Sequence, residues 1–366
     1  MHYEPFGLER WLVQHRGDYN LSGLGPPGVK MSEIISPIEL DHELLYGDTR
    51  GSDELRALIA QTYRGIESNS VLVTTGTAEA NFLTLTSLLE PNDEVILVVP
   101  TYFQAYGIIR QLGARAKLVS LEEKEGYALP FEKLKHAFSR RTKLVFYTNP
   151  NNPTGVTASV SDVRAICEMA QERRAFVLCD EVLRGLEMDG GLSASPAELY
   201  EKGISTASLS KLGIRGIRIG WVVASDRKVL EQAWELKDYT TLSHSGLSEK
   251  IASAAMKPEK LKWLRERAQR SFRNGRTDLM EWVNREPTLL TCVSPSAGGS
   301  AFPQYLATVN SIAFGEGLLK AEGVLIAPGI YFGLDQHFRI KFVADDRQNL
   351  LESFSRITRF LRHYRS

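Results

Sequence analysis

Between residues 70 and 225, short apolar runs alternate with amphipathic stretches of helical length. The runs at 70–74, 94–99, 143–147, 175–179, 204–209 and 220–224 are rich in Val, Ile, Leu and aromatic residues, which predicts β-strands. The segments 79–89, 102–112 and 160–174 lie between them and predict helices. Strands separated by helices predict a mostly parallel sheet covered on both faces, with ligands at the carboxyl ends of the strands. After residue 258 the pattern changes to a long charged helix at 259–285, short strands at 300–303, 324–327 and 338–343, and a final helix from Arg347. The first 45 residues read as an arm with an irregular loop, because Gly23, Gly25, Pro26, Pro27 and Gly28 crowd one short stretch. The expected division is 1–45 as arm and part of a small domain, 46–257 as a large α/β domain, and 258–366 as a smaller α+β domain.

Composition narrows the classes. The chain has 366 residues, of which 43% are hydrophobic, and 44 basic side chains balance 44 acidic ones. With no net charge there is no global field to recruit nucleic acid or an anionic membrane, so neither is an expected partner. The N-terminus lacks a basic region followed by an apolar stretch, and no run is long enough to span a bilayer. Cys167, Cys179 and Cys292 lack metal-ligand spacing, so no metal site is expected and the location is read as cytoplasmic.

The candidate chemistry collects at the predicted strand ends. Lys211 closes Ser208-Leu-Ser210-Lys and precedes Arg218-Ile-Gly-Trp, an arrangement suited to a Schiff base with a phosphate-bearing aldehyde; the ordinary alternative is a surface lysine. Thr75-Gly76-Thr77-Ala78 opens a helix whose N–H groups favour a phosphate, although any strand-to-helix turn can carry Gly-Thr. Pro100-Thr-Tyr102 offers a ring for stacking or for the core, and Asn149-Pro-Asn-Asn152-Pro-Thr-Gly offers an amide donor or a plain turn. Asp180 ends an apolar strand, where a carboxylate needs a partner such as a protonated pyridine nitrogen.

Taken in this order and spacing, these motifs resemble the class I/II aminotransferases, pyridoxal-phosphate enzymes of fold type I, from about Tyr46 to Arg339. The resemblance implies a large domain with a mostly parallel, seven-stranded sheet plus the smaller domain. It implies Lys211, Asp180 and Tyr102 at the reacting centre: Lys211 carries the cofactor as a Schiff base, Asp180 pairs with the pyridine nitrogen and Tyr102 stacks on the ring. Asn152 would reach the ring oxygen and also line the substrate site, while Gly76, Thr77, Ala78, Ser208, Ser210 and Arg218 hold the phosphate. Arg339 matches the arginine that grips the substrate α-carboxylate. Tyr46 matches a tyrosine that reaches the phosphate of the neighbouring subunit, which implies a homodimer.

Two departures stand out. The residue three after the aspartate is normally a tyrosine donating to the ring oxygen, and here it is Leu183. The loop from Lys211 to Arg218 is one residue shorter than the common pattern. The N-terminal Pro5-Phe-Gly-Leu-Glu-Arg-Trp and the segment from Lys237 also resemble a subgroup that includes capreomycidine synthase, whose reaction is elimination and cyclisation on a hydroxyarginine. The expected function is transamination between an L-amino acid and a 2-oxo acid, with cyclisation as the alternative. His244 reads either as a second acid/base near the cavity mouth or as a hydrogen-bonded loop histidine.

Overall fold

The computed structural model describes residues 4–35, 46–343 and 346–363. At its centre lies a seven-stranded sheet built from β1 (Val71–Thr74), β2 (Glu94–Val99), β3 (Arg115–Ser120), β4 (Thr142–Thr148), β5 (Phe176–Asp180), β6 (Gly203–Ser208) and β7 (Gly220–Ala224). The order across the sheet is β1-β7-β6-β5-β4-β2-β3, and only β7 runs against the others.

Both faces are covered, so the strands read as continuous apolar runs rather than as an alternation of apolar and polar residues. Along β2, Val95, Leu97 and Val99 pack into one core while Ile96 and Val98 pack into the other. β4 repeats the division, with Leu144 and Phe146 on one side and Val145 and Tyr147 on the other. Leu97 and Ile96 are both 0% exposed, and burial of each stabilises the fold by about 1.5–3 kcal/mol. The first core is closed by α2 (Thr77–Leu88), α3 (Gln104–Gln111) and α5 (Arg227–Lys237), the second by α1 (Gly7–Gln14) and α4 (Val160–Glu172).

Past the sheet, α6 (Gly246–Met256) leads into α7 (Pro258–Arg285), a long helix beginning on a proline at its first turn, which suits that position because the missing N–H would have no helical partner. A small antiparallel sheet follows, formed by β8 (Ser300–Ala301), β9 (Ala327–Pro328) and β10 (Phe338–Lys341) in the order β8-β10-β9. The helices α8 (Ser311–Glu322) and α9 (Arg347–His363) pack together beside it. Tyr19–Asn20 of the arm pairs in parallel with Val324–Leu325, and Lys341 donates its N–H to Leu21 O, so the arm is sewn onto this C-terminal region. The expected arm thus contains an ordered helix, α1, before its glycine- and proline-rich loop. The expected boundary at 45/46 falls beside residues 36–45, which lie outside the described residues.

Candidate active site

Strand register gathers the chemistry at one edge. Thr148 pairs with Asp180, Asp180 with Thr206, and Gly220 with both Ser208 and Thr74, so β1, β4, β5 and β6 all end side by side. A cavity of about 610 Å³ opens there, lined by Lys211, Asp180, Tyr102, Asn152 and Arg339. Thr77, Ala78, Ser208, Ser210 and Arg218 line its other wall. Gly76 shapes that wall from beneath, and Tyr46 lies outside the cavity, 85% exposed.

Asp180 is buried and held by two donors: the Asn81 amide at 2.9 Å and the Val182 N–H at 3.0 Å. Asn81 is itself fixed, because its oxygen accepts from the Thr206 hydroxyl at 2.6 Å. Burial pushes the Asp180 carboxyl above its ordinary range, while Asn81, Val182 and Lys211 favour the charged form. Next to it, Glu181 is equally buried, accepts from the Ser205 hydroxyl and is pushed up to about 7 by burial.

Lys211 sits in the turn Leu209–Leu212, which ends on Gly213 at φ 97°. Its amine is lowered to about 8, first by burial, then by repulsion from Arg339 and Arg215, against which Asp180 pulls upward. In the cofactor-free protein, modification of Lys211 by an amine reagent should therefore reach half its maximal rate near pH 8, measured by peptide mass spectrometry; an inflection near the ordinary 10.5 refutes this. The sign for stability follows. The lysine takes up its proton less readily in the fold than in the unfolded chain, so the fold is disfavoured below about pH 8 and the penalty is relieved as pH rises from about 8 to 10.5.

The Thr75–Thr77 turn is built for close approach. Gly76 adopts φ +82°, and a Cβ on it would lie 2.3 Å from the Arg218 guanidinium. Gly220 presses on the same turn, where a Cβ would fall 2.7 Å from the Thr77 nitrogen. Glu79 braces it, accepting from the Thr75 N–H at 2.5 Å and from the Thr240 and Thr241 hydroxyls. Arg218, in the left-handed region at φ 54°, makes two long contacts, 3.4 Å to the Ser210 hydroxyl and 3.3 Å to Thr75 O. The buried Thr77 hydroxyl has no hydrogen-bond partner among the described residues.

Arg339, on β10, enters from the opposite side. It is buried, donates to Asn152 Oδ1 at 3.1 Å and to Ser22 O at 2.7 Å, lies over the Phe332 ring, and has no partner for its Nε among the described residues. Burial lowers it to about 10, opposed by Tyr102 and Glu9. Tyr102 donates its hydroxyl to Glu9 on α1 at 2.7 Å and meets the Phe6 ring edge-on. Asn81, Glu79, Ser22 and Glu9 were not among the sequence candidates. Asn81 alone carried a signal: an amide among apolar neighbours at Ala80 and Leu83–Leu85, on a helix buried on several sides.

His244 is buried against Glu249 of α6 and does not line the cavity, which leaves the hydrogen-bonded loop histidine as its role. Leu183 also faces away. It is 0% exposed in the core against Gly298, while Val182 lines the cavity. Leu183→Tyr should consequently overpack that core and cost about 1–3 kcal/mol, read as a fall in Tm of the cofactor-free protein. An unchanged Tm would show that a ring can leave the core for the cavity.

The aminotransferase class I and II family model matches residues 20–357. The chain is 30% identical to capreomycidine synthase of Streptomyces vinaceus over 347 residues, covering 92% of this chain and 88% of that protein. It is 27% identical to an aspartate aminotransferase of Streptomyces avermitilis, covering 86% and 81%. Among solved structures, a PLP-dependent aminotransferase from Streptococcus suis aligns with a TM-score of 0.92 at 30% identity, covering 100% of this chain and 99% of that one. The PLP-dependent cyclase OrfR aligns with a TM-score of 0.90 at 27% identity over 100% and 99%. A lysine and a carboxylate brought to adjoining strand ends, on a sheet shared with these structures and in a chain matched over nearly its whole length, place this protein in the class I and II aminotransferase family.

Proposed function

We propose that this protein is a pyridoxal-phosphate-dependent enzyme that transaminates an L-amino acid against a 2-oxo acid. The observation that carries the reading is the meeting of Lys211, Asp180 and Arg339 in one cavity. The residues fit the cofactor: the Thr77 hydroxyl lacks a partner among the described residues, the Gly76 turn leaves no room for a side chain beside Arg218, and Asp180 is a carboxylate whose charge needs a cationic neighbour. Gly76, Thr77, Ala78, Ser208, Ser210 and Arg218 would hold the phosphate, with the N-terminus of α2 adding its positive end. Tyr102 and Asn152 would flank the ring.

When bound, pyridoxal phosphate supplies an electron sink conjugated to the substrate nitrogen. Asp180 keeps a proton on the pyridine nitrogen, and Asn81 and Thr206 keep Asp180 aimed. Arg339 takes the α-carboxylate and orients the Cα–H bond. Lys211 would hold the cofactor's aldehyde carbon and, when free, would take the Cα proton; its burial beside Arg339 and Arg215 favours the neutral amine that can accept it.

Incubation with common amino acids, arginine and hydroxyarginines, with and without a 2-oxo acid, tests this. Amino-group transfer that requires the 2-oxo acid supports transamination. A second reading, elimination and ring closure, is favoured by the 30% identity to capreomycidine synthase and the similarity to OrfR. Multiple turnovers of a hydroxyarginine without any 2-oxo acid, yielding a cyclic product, would establish it instead.

The same reading makes the working unit a homodimer in the cytoplasm, supported by the exposed Tyr46 ring outside its own cavity and by three free thiols. Tyr46→Phe should weaken cofactor retention by about 1–3 kcal/mol, the range of a charge-assisted hydrogen bond. A fully active monomer in sedimentation at working concentration sinks this part.

A further inference from the structure

The edges of the Arg339 guanidinium are held by Asn152 and Ser22, while its flat face rests on the Phe332 ring, with Cζ 4.9 Å from the ring centroid. Two edge bonds leave a planar group free to rock, so the ring beneath it sets the tilt of the fork. Phe332 is held in turn. The Phe302 ring meets it edge-on at 5.7 Å, and His337 stacks on Phe302 at 5.0 Å with 18° between the planes. All three rings are buried, so nothing but neighbouring side chains fixes their orientation. His337 and Arg339 stand two residues apart across the start of β10, a spacing that puts both side chains on one face of the strand.

We propose that His337 is a positioning residue for Arg339, acting through the Phe302 and Phe332 rings to hold the guanidinium at the tilt that meets an α-carboxylate with both prongs. This rests on the reading of Arg339 as the α-carboxylate site. The imidazole uses its polar edge only in part: Nδ1 donates to Asp335 O at 2.7 Å, while Nε2 faces Glu123 Oε2 at 3.9 Å and has no hydrogen-bond partner among the described residues. Its flat face is what reaches the site. Removing the ring would leave a void beside Phe302, and a close-packed stack can tilt into such a void. Phe332 then loses its edge contact, and the fork turns out of the plane in which a carboxylate accepts two parallel bonds. The charge stays in the cavity, so binding weakens without being abolished.

Propionate, the skeleton of alanine without its amino group and therefore inert to turnover, tests this when titrated into the holoenzyme and followed by ligand-observed NMR. His337→Ala should raise its Kd about two- to tenfold, the worth of one aromatic pair. His337→Phe keeps a ring but no donor to Asp335 O, and should stay within about twofold of the wild type. His337→Gln keeps a donor but no ring, and should behave as His337→Ala does. The visible absorption band should be the same in all three, because the cofactor's own contacts are untouched. An unchanged Kd in His337→Ala, an equal loss in all three variants, or recovery in His337→Gln but not in His337→Phe overturns the proposal; a lower Tm with unchanged affinity does so too, leaving His337 a packing residue alone. Failure of the Arg339 reading shows elsewhere: propionate would then not bind the wild type measurably, or would bind Arg339→Lys equally well, and the proposal would fall with it.

Discussion

Replacing Lys211 by alanine should leave a folded protein whose turnover has fallen by at least about 10⁴-fold, the upper end of what a positioned acid/base contributes. The variant loses two things together, the amine that attaches the cofactor covalently and the base for the Cα proton. The holoprotein's pH-sensitive visible band should vanish, and borohydride should no longer fix the cofactor to the chain. Because a buried, disfavoured cation is removed, the cofactor-free variant should be no less stable than the wild type below about pH 8. That pairing of lost chemistry with kept stability distinguishes a functional lysine from a structural one. A borohydride-stable adduct in the variant would assign the attachment to another residue.

Arg339→Lys should cost about 2–5 kcal/mol in kcat/KM while leaving the fold intact. The wild-type guanidinium holds Asn152 and Ser22 with two of its nitrogens and leaves Nε, buried, without a partner among the described residues; a lysine offers a single rotatable ammonium and cannot reproduce the planar fork. Amino acid and 2-oxo acid both carry the α-carboxylate, so KM should rise for both. A rise confined to one of them would move Arg339 from carboxylate binding to side-chain recognition. A fall in Tm with unchanged KM would make it a structural anchor between the arm and β10.

The two substitutions draw on different kinds of information. Lys211, Asp180 and Asn152 stood out in the sequence because each ends or follows an apolar run, where a charge or amide is costly without a task; Arg218 was read as a phosphate donor following the lysine, and Arg339 was named only through the family resemblance. The expected strands at 94–99, 143–147 and 220–224 and the long helix from 259 match β2, β4, β7 and α7 to within a residue. Continuous apolar runs survive into the fold because both faces of those strands are covered. β3 (Arg115–Ser120) was missed: it is an edge strand with Arg115 and Leu118 exposed, so only one side and one neighbour shape its composition. The helix α1 was missed although Leu8, Trp11 and Leu12 repeat at helical spacing, because eight residues beginning on Gly7 give only about two turns of pattern beside a glycine- and proline-rich loop.

What lay in the chain's own order of residues was therefore the sheet, its strand ends and the motifs hung on them, since hydrophobic period and the cost of stray polar groups are local properties. Only the folded chain decides which distant side chains meet there. Asn81 stands 99 positions from the carboxylate it holds, Glu9 93 positions from Tyr102, and Ser22 317 positions from Arg339. Glu9 and Ser22 are common residues in unremarkable surroundings that no spacing marks, and Asn81 stands out only as an amide among apolar neighbours, which does not say what it holds. Their roles arise from strand register, from the pairing of the arm with the C-terminal region, and from burial that turns a hydrogen bond into a constraint on charge. Leu183 shows the converse. Its position relative to Asp180 suggested a lost donor, while packing against Gly298 turned its side chain into the core.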